Sequence, residues 1–135
     1  MVKILGLSLL LSLFSLCTQA SAMNDQTFET KHNQILQEHY WAQVAEYQLR
    51  EKLVEQALNP VAKLAIQQKE CVSLAYEHQY YAFVIENIEA MQRYRERQDF
   101  KKITPLETWQ QEAMAVLDRY EKLKYHLKDT EFPCE

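Results

Sequence analysis

From Pro60 to about Gln98 the chain carries apolar residues on two sides of one helical period, with no glycine and no proline after the first residue. At about 100° per residue, one stripe reads Leu64, Cys71, Leu74, His78, Tyr81, Ile85, Ile88. A second reads Val72, Tyr76, Tyr80, Phe83, Asn87, Met91, Tyr94, on roughly the opposite side. Polar side chains such as Gln68, Gln79, Glu86 and Arg93 fall in the narrower arc between them. An arc this wide does not suit a surface helix with one buried face. The pattern predicts a central helix with a neighbour on each side.

Those neighbours are readable on either flank. Residues 23–27 read as a frayed start. Residues 28–58 are rich in helix formers, and Phe28, Ile35, Leu36, Val44, Leu49, Leu53, Val54 and Leu58 supply a broad apolar face. Asn59-Pro60 ends that run, because proline disfavours a helical residue before it; Asn59 then caps a helix whose first residue is Pro60. Either a tight antiparallel turn or a sharp kink fits so short a linker, and compactness favours the turn. Further on, Thr104-Pro105-Leu106-Glu107 has the form of a capping box. It opens a helix with an apolar seam of Leu106, Trp109, Ala113, Val116, Tyr120, Leu123 and Leu127. Lys122, Lys124, His126 and Lys128 lie in its last turns, where the helix dipole favours cations. The expected fold is all-α: a small up-down-up bundle of three long helices over about 27–58, 60–98 and 105–128. The first two would each be about 50 Å long. The third is shorter and would leave part of them uncovered.

Composition supports the class. The single glycine of the chain is Gly6, so the turns with positive φ on which hairpins depend are nearly unprovided for. Residues 1–22 read as a secretory signal peptide: Lys3, an apolar-dominated run over residues 4–16, then Ala20-Ser21-Ala22 as the cleavage site. About 13 such positions are too few to span a bilayer, which takes about 20. Lipid attachment at Cys17 is the weaker reading, since Leu16 sits where that processing wants a small residue. Removing 22 of 135 residues leaves a single helical domain, 23–135, with no integral membrane segment. Loss of Lys3 takes the net charge from -4 to -5, which disfavours nucleic acid as a partner.

Cys71 and Cys134 survive that processing. In an oxidising compartment the pair favours a disulfide tethering the C-terminal tail to the middle of the central helix. No Cys-x-x-Cys spacing poises either thiol for redox catalysis.

Candidate chemistry is sparse. His32 and His39 lie two turns apart, about 10 Å, too far to grip one metal unaided. Their bland reading is solvent-facing or capping; a metal or small-ligand site would need His78 from the central helix as well. His78 itself suits a hydrogen-bonded core position, and Ser73 lies on a different face, so no nucleophile and base are paired. The basic run Arg93, Arg95, Arg97, Lys101, Lys102 would suit a phosphate or an acidic surface, or simply a helix C-terminus. Glu86 and Glu89 read as solvated, with Glu89 partnered by Arg93. No catalytic residue, metal ligand or cofactor is therefore assigned.

Aromatic side chains are the main open question. Tyr76, Tyr80, Phe83 and Tyr94, with Tyr40, Trp41 and Tyr47 on the first helix, suit either core packing or a partly exposed protein-binding surface. The expectation is a small exported, non-enzymatic protein of the cell envelope, periplasmic or secreted. It would act by binding another envelope or secreted protein, as an inhibitor, an immunity-type protector or a chaperone-like adaptor; a homodimer is a further form of the same idea. The alternative is a metal- or small-ligand-binding bundle built on His32, His39 and His78.

Overall fold

The computed structural model of the chain describes residues 23–56, 59–99 and 103–134. The signal-peptide reading of residues 1–22, and Leu58, Lys101 and Lys102, lie outside the described residues. Among the described residues there is no strand, and the α-helices are α1 (Asp25–Lys52), α2 (Pro60–Glu86), α3 (Ile88–Arg97) and α4 (Leu106–Leu127). No helix of the described residues is long and apolar enough to cross a membrane.

Residues 23–27 do not form a frayed start. The Asn24 side chain accepts the Thr27 N–H at 2.8 Å and caps α1, which begins at Asp25. The helix ends at Lys52, six residues before the expected 58. A 3-10 turn over Val54–Gln56 follows, closed by Gln56 N–H to Leu53 O at 2.9 Å. Helix propensity favours continuing the α-helix, but the chain must reverse onto α2, and the tighter turn over Val54–Gln56 takes the place of another α-helical turn. Beyond it, Asn59 caps α2 as expected: its Oδ1 accepts Val61 N–H at 2.9 Å and Ala62 N–H at 3.4 Å, with Pro60 as the first helical residue. Phe28 stacks on Phe83 while Arg50 reaches Glu70, so α1 and α2 are antiparallel, and the kinked-rod alternative is set aside.

The central helix is not continuous. It breaks at Asn87, so four helices stand where three were expected. Asn87 leaves helical geometry (φ -122°, ψ 35°), and its Nδ2 donates to Phe83 O at 2.9 Å. A short amide side chain bonding back to its own helix offers the backbone an alternative to the regular ladder, and here Phe83 O accepts from both the side chain and the N–H of Asn87. The break turns α3 onto α1. Arg93 Nε donates to Asp25 Oδ1 at 2.8 Å, and Arg97 pairs with the same carboxylate and, more loosely, with Glu29. Arg93 thus serves α1 rather than the expected Glu89. Asp99, with φ 56°, closes α3 in the left-handed region, a role aspartate fills where glycine is missing.

The capping box at Thr104 is not formed. Pro105 is the residue before α4 and no side chain caps it; the Thr104 hydroxyl instead accepts from Arg95 Nη1 at 3.0 Å. The predicted α4 seam holds, with Ala113, Val116 and Leu127 buried and Leu106, Trp109, Tyr120 and Leu123 half-buried. Tyr81 meets Trp109 at one end of α4 and Glu70 meets Arg119 further along, so α2 is antiparallel to α4 as well. α2 is therefore the element both others pack against, as its two stripes require.

Buried side chains gather in two places. Phe28, Val84, Ala90 and Met91 form a cluster at the junction of α1, α2 and α3. Toward the opposite end of α2, Cys71 is fully buried and bonded to Cys134, with a Cα–Cα distance of 5.7 Å. Gln68 Nε2 donates to Pro133 O at 2.9 Å and seats the tail beside that bond.

Candidate functional site

Three features stand out from the packing: an aromatic cluster around a buried histidine, an exposed aromatic face, and a basic crevice. The first collects Tyr80, Phe83 and Tyr94, three of the aromatic residues proposed from sequence. Phe28 stacks on Phe83 (5.3 Å) and on His32 (5.4 Å), while Tyr94 lies 4.9 Å and Tyr80 5.7 Å from the His32 ring. Tyr80, Phe83 and Tyr94 are half-buried there, as partners of the core rather than free rings. Tyr76 is also half-buried, one turn of α2 earlier.

His32 is not solvent-facing, contrary to the bland reading; it is 3% exposed. Its Nε2 lies 3.4 Å from the Tyr80 hydroxyl, and its Nδ1 is buried without a hydrogen-bond partner. Burial holds its pKa below the usual histidine value, against the smaller opposing influences of Asn33 and Glu29. Burial likewise raises the Tyr80 hydroxyl above the ordinary tyrosine range. The group is a packed, largely neutral cluster, without a nucleophile beside the imidazole. His39 and His78 are half-buried, and among the described residues no group of three or more His, Cys, Asp or Glu side chains is placed to hold a metal ion.

The second feature lies on the opposite side of α1. Inward, the helix presents Phe28, His32, Ile35 and His39. At about 100° per residue, Tyr40, Trp41, Val44 and Tyr47 fall together in an arc facing away from them. Tyr40 is 57%, Trp41 58% and Tyr47 61% exposed. The Tyr40 and Trp41 rings meet edge to face at 5.2 Å. Tyr47 donates its hydroxyl to Glu51 at 2.8 Å, and that bond to a carboxylate raises its pKa. Each ring is held by a neighbour yet leaves most of its surface to water. From sequence these three were grouped with the interior aromatics; the signal that separates them is their helical phase relative to Phe28 and Ile35.

The third feature could not be found from sequence, because its residues come from separate helices. Lys63, Gln67, Glu70 and Leu74 on α2 face Arg119, Lys122, Leu123 and His126 on α4 across an open crevice of about 460 Å³. Glu70 joins three helices at its edge, accepting from Arg50 Nη2 at 3.1 Å and lying 3.5 Å from Arg119 Nη2.

The basic run proposed as an anion site is otherwise engaged where it is described. Arg93 and Arg97 hold Asp25, and Arg95 holds Thr104. Comparison with known proteins gives no family: no family model, no curated protein and no solved structure matches this chain.

Proposed function

We propose that this chain is a small exported, non-enzymatic helical protein that acts by binding another envelope or secreted protein, and that the outer face of α1 is its contact surface. The observation that carries the reading is the exposure of Tyr40, Trp41 and Tyr47, each more than half open to water, on one arc of α1. Aromatic residues with a polar tip are the type most enriched in interface hot spots, because they bury large area at low conformational cost. On soluble proteins the largest exposed apolar patches, about 300–600 Å², are often functional, and Tyr40, Trp41 and Tyr47 supply aromatic surface of that kind. The disulfide is compatible with an oxidising compartment, where the signal-peptide reading would place the protein.

The test is a photo-crosslinking amino acid placed at Trp41 in the full chain, expressed in its native cell, with Met114 on the outer face of α4 as the control position. A single adduct formed from position 41, absent from position 114 and lost when Tyr40 and Tyr47 become serine, supports the reading. Equal or absent crosslinking at the two positions refutes it.

A further inference from the structure

We propose that the crevice between α2 and the C-terminal half of α4 binds an anionic amphiphile, a carboxylate at the end of an unbranched alkyl chain. Its lining carries three cations, Lys63, Arg119 and Lys122, against the one carboxylate of Glu70. Glu70 is already shared between Arg50 and Arg119, so its charge is spent on the helix junction. Lys122 pairs with Asp118 along the exposed side of α4. Lys63 makes no ion pair among the described residues, and the His126 imidazole adds a hydrogen-bond donor on the facing wall. With Arg119 paired to Glu70 and Lys122 to Asp118, Lys63 is the lining cation without an ion pair among the described residues, and the lining as a whole stays net positive in a protein whose net charge is -4.

The apolar part of the lining decides what kind of anion fits. Leu74 on α2 and Leu123 on α4 belong to the same lining as these cations, and the crevice is lined mostly by apolar surface. Lysine stems add further hydrocarbon while their ammonium groups reach the rim. A bare inorganic anion would meet the charges and leave the leucines wet; an apolar molecule without charge would leave the lysines unanswered. An alkyl carboxylate satisfies both. The volume, about 460 Å³, is within the range of small-molecule sites. A second crevice of about 360 Å³ shares Lys63, Gln67 and Glu70 and continues over Ile66 toward α1, which gives a longer chain somewhere to run. This site lies on different helix faces from Tyr40, Trp41 and Tyr47, so its test is independent of the proposed protein-binding surface.

The experiment titrates dodecanoate, below its critical micelle concentration, into the intact oxidised protein and follows backbone amide shifts by NMR with calorimetry in parallel. Saturable one-to-one binding is expected, with shifts centred on Lys63, Leu74, Leu123 and His126. Affinity should rise from hexanoate to dodecanoate, as added methylenes find apolar wall. The double variant Lys63→Gln, Lys122→Gln, at exposed positions and with an unchanged melting temperature, should bind at least tenfold more weakly. Dodecanol, which lacks the charge, and acetate, which lacks the chain, should each bind at least tenfold more weakly than dodecanoate. Phosphatidylglycerol vesicles separate a free amphiphile from a lipid surface: binding to vesicles without binding to monomeric dodecanoate overturns the proposal. So does equal affinity for dodecanol, or an undiminished affinity in the double variant.

Discussion

Cutting the bond between Cys71 and Cys134 removes a constraint whose size follows from the chain length it closes. The two residues are 63 positions apart. In the chain-entropy model a loop of that length costs the unfolded state about 14.5 cal/mol/K, or about 4.3 kcal/mol at room temperature. Cys134→Ala is the appropriate perturbation, because Cys71 is fully buried and its truncation would add a cavity, whereas Cys134 is half-exposed in the tail. The variant should lose about 4 kcal/mol in urea unfolding followed by circular dichroism. In a thermal melt the same loss is about 15 °C for a domain of this size. The dependence on urea should also steepen, since the uncrosslinked chain expands further when it unfolds. Wild-type protein treated with reductant should fall on the variant's curve. A loss below about 1 kcal/mol, or an unchanged midpoint on reduction, would show that the bond does not restrict the unfolded chain as reasoned.

Four further outcomes are expected. His32 is buried with its pKa depressed below 6.5, so just below that pH the unfolded chain takes up a proton that the folded one refuses. Stability is then whole above pH 6.5 and declines as pH falls, by at most about 1.4 kcal/mol per pH unit, and His32→Phe should flatten that slope in urea titrations between about pH 7 and about pH 5. Phe28→Ala empties the space between the Phe83, His32 and Tyr94 rings and should cost about 3–5 kcal/mol by the same assay. Asn59→Ala removes the acceptor for Val61 and Ala62 N–H and should cost about 1 kcal/mol. Amide exchange should be faster in α1 beyond Trp41 than around Phe28 and His32, the buried residues of that helix, and uniform protection along α1 would contradict it.

The class of fold, the seam of α4, the Asn59-Pro60 junction and the disulfide were all legible because each rests on a local or pairwise signal. Two-sided apolarity in the central helix correctly implied neighbours on both sides. What misled was polarity judged one residue at a time. Asn87 sits in phase with Val72, Tyr80 and Phe83, so periodicity counted it as one more position in a stripe; it instead leaves helical geometry, and its side chain bonds back to Phe83 O where α2 ends. Thr104 carries the right sequence for a cap, but Arg95, nine residues earlier, reaches its hydroxyl. Arg93 has a glutamate at helical spacing and pairs instead with Asp25, 68 residues away. In each case a partner distant in sequence, or a side chain returning to its own backbone, outcompeted the local pattern. The α1 outer face was separable only by the helical phase of Tyr40, Trp41 and Tyr47 relative to Phe28 and Ile35, and the crevice not at all, since its residues come from separate helices.

Few large side chains of the described residues are wholly buried: Phe28, Val84, Leu127 and Cys71. Phe28 and Val84 belong to the α1–α2–α3 junction; Cys71 and Leu127 lie toward the end where the crevices open. A small domain with a core this thin needs ties that do not depend on packed volume. The chain places two of them on consecutive residues of its central helix. Glu70 reaches α1 through Arg50 and α4 through Arg119, and Cys71 holds the tail. Partly exposed ion pairs of this kind contribute at most about 1 kcal/mol each, so the covalent tie dominates that end. Such ties hold α2 while covering little of its neighbours' surface. Alongside them, Tyr40, Trp41 and Tyr47 on α1 stay more than half exposed, and a crevice remains open between α2 and α4. Filling both with intramolecular packing would have stabilised the domain at the expense of the two surfaces proposed above as binding sites.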